Sequence, residues 1–128
     1  MDLGTVVSHE IDKAARGGRA EIAILDELLA HGFSREELFD LVVPRRTYAR
    51  RRQANDTLSQ AESDRAVRLA RLTAMAERVF GEAKIAHRWL RKPSRTLAGS
   101  VPLDLMRTET GAHLVEQTLH RIDYGMLA

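Results

Sequence analysis

Five arginines fall within eight residues, Arg45-Arg46-Thr47-Tyr48-Ala49-Arg50-Arg51-Arg52. A guanidinium offers a planar fork of donors that matches guanine, phosphate or carboxylate oxygens. The segment follows Pro44, which suits a helix start because its missing N–H costs nothing in the first turn. A short capped helix is predicted just before it, over about Arg35–Leu41. Two helices joined by a tight turn, the second one basic, match a helix-turn-helix. In that arrangement Arg45, Arg46 and Thr47 would face base edges, and Arg50 and Arg51 would meet phosphates. A second reading stands beside it: a basic helix face that is solvated, or that pairs with acidic groups of its own half of the chain.

The other residues able to do chemistry carry less. His113, Glu116 and His120 share one face of the last predicted helix. That face lies opposite the apolar stripe and offers no fourth ligand, so a metal site is not expected. The chain has no cysteine, which removes disulfides, thiolate metal sites and a cysteine nucleophile. No phosphate loop, nucleophile elbow or kinase signature is present. Glu36-Glu37 are explained by a helix N-terminus, where negative charge is favourable. An enzyme is not expected, nor a cofactor.

The elements that must hold these residues are all helical. Apolar residues 44%, charged residues 30% and aromatics 5% in 128 residues suit one domain, or two small helical modules, with a heavily solvated surface. The formal net charge is only +2, but residues 1–64 carry 9 Lys/Arg against 12 Asp/Glu and residues 65–128 carry 11 against 6. No apolar run reaches membrane-spanning length, and the N-terminus lacks the basic-then-apolar layout of a signal peptide. A cytoplasmic protein is expected.

Periodicity predicts a short helix over about Val6–Ala15 and another over Arg19–His31 that Gly32 stops. Ser34 and Glu37 read as a capping box, with Phe33 and Leu38 as a hydrophobic staple. The basic helix runs from Pro44 to about Ala54. Ser59 and Glu62 form a second box opening a long helix to Phe80, closed by Gly81. Lys84–Leu90 is a short helix ended by Pro93, Ser94–Ser100 a loop, and Pro102 the start of a helical turn. The final helix begins near Glu109–Ala112 and turns Leu114, Val115, Thr118, Leu119 and Ile122 inward. Gly125 is its expected stop. Trp89 is expected to be buried as the core anchor of the C-terminal part.

The order Val79-Phe80-Gly81, Trp89-Leu90, Pro93, Leu97-Ala98-Gly99, Pro102-Leu103-Asp104-Leu105, Gly111 and Tyr124-Gly125 strongly resembles the toxin-binding domain of the Xre/MbcA/ParS antitoxin family. Phe33-Ser34, Glu37-Leu38, Arg45-Arg46-Thr47, Arg50-Arg51, Leu58-Ser59, Glu62-Ser63 and Arg65 resemble the family's helix-turn-helix. The departure is Pro44, which supplies no capping hydroxyl. The resemblance covers about Phe33–Gly125.

It implies an Xre-like helix-turn-helix module over residues 1–64, followed by a connecting helix and a toxin-binding module over 65–128. The implied function is that of a type II antitoxin. Its partners would be a RES-domain toxin, which consumes NAD or uses it for ADP-ribosylation, and operator DNA bound by a homodimer that represses its own operon. DNA contacts would come from Arg45, Arg46, Thr47, Arg50 and Arg51. Toxin contacts would come from Arg95, Thr96, Asp104, Arg107, Thr108, Tyr124, Met126 and Leu127. The alternative function is a free-standing helix-turn-helix regulator whose C-terminal module serves dimerisation.

Overall fold

Where each helix starts and stops follows from its capping residues and from which backbone groups are claimed elsewhere. The computed structural model describes residues 3–15 and 18–125. They form eight α-helices and no strand. The described residues fall into two compact units, one reaching Arg71 and one beginning at Leu72.

In the first unit, α1 (Leu3–Ala15) buries Leu3, Val6, Val7 and Glu10, one face at helical spacing, and packs on α2 (Ala23–Ala30). Helix α2 is shorter than its apolar period suggests. Residues before it are drawn into other pairings: Glu21 forms an isolated bridge with Thr57, the Leu58 amide donates to the Ala20 carbonyl at 3.0 Å, and the Ala20 amide donates to Ser63 Oγ at 2.9 Å. Long-range bonds at both backbone groups of Ala20 replace the helical ones.

Helix α3 (Arg35–Leu41) carries the expected capping box. The Glu37 amide donates to Ser34 Oγ at 3.1 Å and the Ser34 amide to Glu37 Oε1 at 2.9 Å. Phe33 and Leu38, on either side of the cap, are both buried. A tight apolar turn, Val42-Val43, leads to Pro44 and α4 (Arg45–Ala54). Pro44 gives α4 no side-chain cap, and Asn55 ends the helix in the left-handed region at φ 52°. The second capping box opens α5 (Gln60–Phe80): Glu62 N to Ser59 Oγ is 3.2 Å, and Ser59 N to Glu62 Oε1 is 2.8 Å.

The second unit takes the later part of α5, then α6 (Ala83–Leu90), a 3-10 turn at Arg95–Leu97, α7 (Pro102–Leu105) and α8 (Glu109–Asp123). The loop before α7 closes on itself. The Ser94 amide donates to the Ser100 carbonyl at 3.0 Å, and Ala98 and Gly99 both adopt positive φ. Pro102 occupies the first turn of α7, where proline is tolerated. Gly111 sets how closely α8 approaches α7, since a Cβ there would stand 2.0 Å from the Leu105 carbonyl oxygen.

Two side chains differ from expectation. Trp89 is only half-buried and leans on Phe80 at 5.5 Å between ring centres. Its neighbour Leu90, with Ala86, holds the enclosed positions of α6. A tryptophan is large enough that one edge commonly stays in water. In α8 the inward stripe is Gly111, Ala112, Val115, Thr118 and Leu119, with Ile122 half-buried. Leu114 lies at its margin and is 47% exposed.

Candidate nucleic-acid and partner-binding surfaces

Helix α4 buries no residue, so apolar packing does little to hold it. Charge and ring contacts do that work, and they use three of the five arginines. Arg45 Nη2 donates to Glu36 Oε1 at 2.8 Å and stacks over Phe39 at 4.8 Å. Arg52 forks onto Asp26 of α2, with bonds of 3.1 and 2.6 Å, and also donates to the Tyr48 hydroxyl at 2.9 Å. These bonds raise the Arg52 pKa further, fixing its positive charge.

Arg51 turns inward. Its side chain is 16% exposed, its Nε lies 2.8 Å from Glu62 Oε1, and its Nη1 lies 3.5 Å from Asp56 Oδ2. Burial pushes the Glu62 carboxyl up, but the Ser59 amide and the Arg51 guanidinium outweigh it and hold the pKa below the ordinary value. The same carboxylate therefore caps α5 and ties α4 to it.

Arg46 and Arg50 are exposed and form no hydrogen bond or ion pair among the described residues. Thr47 is half-buried on the inward side with Tyr48 and Arg51. Arg45, Arg51 and Arg52 thus pair with acidic groups of their own unit, as the second reading of the basic segment has it, while Arg46 and Arg50 face solvent. For Arg51, the residue expected at a phosphate, the burial and the pairing with Glu62 and Asp56 leave no free guanidinium edge turned outward.

In the second unit, Arg95, Thr96, Asp104, Arg107, Thr108 and Tyr124 are all exposed. They are not equally free. Thr108 Oγ1 accepts from the Gly111 amide at 3.0 Å and caps α8. Asp104 and Arg107 form an i,i+3 pair at 3.4 Å, and Ser94 and Thr96 hydroxyls lie 2.8 Å apart. Met126 and Leu127 lie outside the described residues. An open groove of about 360 Å³ runs between the 94–100 loop and α8, with Thr96, Ala98, Leu105, Leu114, Gln117 and Arg121 among its walls. The exposed Leu114 side chain gives it an apolar rim that sequence periodicity assigned to the core.

A capped helix joined by a tight turn to an arginine-bearing one, followed by a small helical unit with an exposed groove, defines a two-module helix-turn-helix protein. Residues 11–71 match the antitoxin Xre-like helix-turn-helix domain, and residues 75–125 match the antitoxin Xre/MbcA/ParS C-terminal toxin-binding domain. The chain belongs to the Xre/MbcA/ParS antitoxin family.

Among curated relatives, it is 43% identical over 86 residues to an antitoxin Xre of Pseudomonas putida, covering 67% of this chain and 54% of that protein. A Yersinia enterocolitica antitoxin Xre is 32% identical over 87 residues, covering 67% of this chain and 59% of the relative. One from Photorhabdus laumondii is 31% identical over 84 residues, covering 65% and 57%. The matched stretch thus spans little more than half the length of these relatives. No helix among the described residues is long and apolar enough to cross a membrane.

Proposed function

We propose that this chain is the antitoxin of a type II toxin–antitoxin pair, neutralising a RES-domain toxin that consumes NAD or uses it for ADP-ribosylation. The observation that carries this reading is the presence of a toxin-binding domain and a helix-turn-helix in one chain, as in relatives named antitoxin. The second unit covers the toxin's NAD cleft. The surface that does so is made of the groove beside α8, which Thr96 and Leu114 line, and of the exposed Arg95, Asp104, Arg107 and Tyr124. The exposure of Leu114 and Tyr124 supports this choice, because exposed apolar and aromatic side chains are the usual anchors of a protein interface. The first unit, as a homodimer, binds the operator through Arg46 and Arg50 and represses transcription of the pair in the cytoplasm. The chain itself catalyses nothing and needs no cofactor.

Co-expression with the product of the neighbouring gene tests the reading. The full chain restores growth of cells making the toxin, and the two proteins co-purify. Leu114→Asp weakens that protection while operator binding is kept. Full growth inhibition despite abundant folded antitoxin would leave the chain a free-standing regulator.

A further inference from the structure

The exposure pattern of α4 singles out a stripe that the basic segment alone does not reveal. Arg46, Ala49, Arg50 and Gln53 are all exposed and recur at i, i+3, i+4 and i+7, the spacing of one helix face. Thr47, Tyr48 and Arg51 occupy the opposite, half-buried face. The three arginines with acidic partners are tied to Glu36, Asp26 and Glu62. The stripe carries no such ties: the side chains of Arg46, Arg50 and Gln53 have no hydrogen bond or ion pair among the described residues. Ala49, between the arginines, is the smallest side chain of the stripe and leaves room for the helix to come close to a surface.

A charged fork and a primary amide differ in what they can distinguish. Arg50 can serve a phosphate without regard to sequence, and Arg46, in the first turn, can fork onto a guanine. A carboxamide has one donor and one acceptor side by side, the complement of adenine N7 and N6–H in the major groove. Gln53 is seven residues beyond Arg46, about 10.5 Å along the axis. It is exposed, and it borders an open concavity of about 590 Å³ whose other walls are Arg35, Tyr48, Ala49 and the paired Asp26 and Arg52.

We propose that Gln53 is a specificity-determining residue of this surface, reading an adenine through its side-chain amide, with Ala49 supplying the close approach. This rests on the operator-binding reading. In the contact the Gln53 Nε2–H donates to adenine N7, and the adenine N6–H donates to Gln53 Oε1.

The test uses the full chain, alone and with its toxin, on DNA from its own upstream region. Each adenine in turn is replaced by 7-deazaadenine, which keeps base pairing and loses only the N7 acceptor. At one position per half-site the replacement lowers wild-type affinity about fivefold. In Gln53→Ala that difference disappears, while Arg50→Ala keeps it. Because no charge is removed, the salt dependence of Gln53→Ala matches wild type. If Gln53→Ala binds with an unaltered position-by-position preference, or weakens evenly on every sequence, the inference is overturned and operator binding stands. If neither the chain nor its toxin complex shifts the DNA at low salt, operator binding and the inference fall together.

Discussion

Helices α4 and α8 are both largely exposed and rich in charge, yet they are held by different forces. Helix α8 is anchored by an apolar stripe through Val115 and Leu119 and by the close approach at Gly111. Helix α4 has no buried residue, and its charged side chains are its anchors: Arg45, Arg51 and Arg52 reach α3, α5 and α2. A cluster of like charges therefore need not be one surface. In α4 the paired arginines hold the helix that carries the unpaired two, so mutating the cluster as a block would confuse folding with any contact Arg46 and Arg50 make.

The contrast can be broken first at Gly111. A Cβ placed 2.0 Å from a backbone carbonyl forces α7 and α8 apart. Gly111→Val should destabilise by about 3 kcal/mol or more, read by denaturant unfolding with a probe in the second unit. Arg51→Ala comes next, at about 3 kcal/mol, because it strands the Glu62 carboxylate with most of its surface covered.

That loss should depend on pH. The folded Glu62 pKa is depressed, so its contribution is complete above the unfolded value of roughly 4.3 and is lost as pH falls through the folded value. The stability gap between wild type and Glu62→Gln should be widest near neutrality and close under acid conditions. A gap that widened on acidification would contradict the assigned direction.

Thr108→Ala, which removes the α8 cap, should cost about 1 kcal/mol in thermal unfolding. Arg45→Ala should cost under about 1 kcal/mol, since its pair with Glu36 is solvent-exposed on both sides. A larger loss for Arg45 than for Arg51 would reverse the ranking and the account of α4.

Much of this was legible from residue types and spacing. Both capping boxes, the proline starts before α4 and at α7, and the glycine stop after α5 rest on local chemistry, and local chemistry is what a sequence displays. Helix α2 was misjudged at its start because the partners of Ala20 and Glu21 lie near Thr57 and Ser63, far along the chain. Leu114 and Trp89 were assigned to the interior because hydrophobicity alone cannot separate the centre of a stripe from its margin. The division of the arginines needed the positions of Asp26, Glu36 and Glu62 in space. The α8 groove depends on how the 94–100 loop folds over, and no periodicity encodes that.

The claim that α4 divides its arginines between holding and contacting is tested most directly by the salt dependence of operator binding. Arg50→Ala should reduce the slope of log affinity against log salt by about 1, Arg46→Ala should weaken specific binding by about 1–3 kcal/mol, and both should leave the unfolding temperature unchanged. Arg51→Ala, assayed where it remains folded, should lower the unfolding temperature and keep the wild-type slope. An Arg51→Ala slope reduced as much as that of Arg50→Ala, at unchanged stability, would contradict the division.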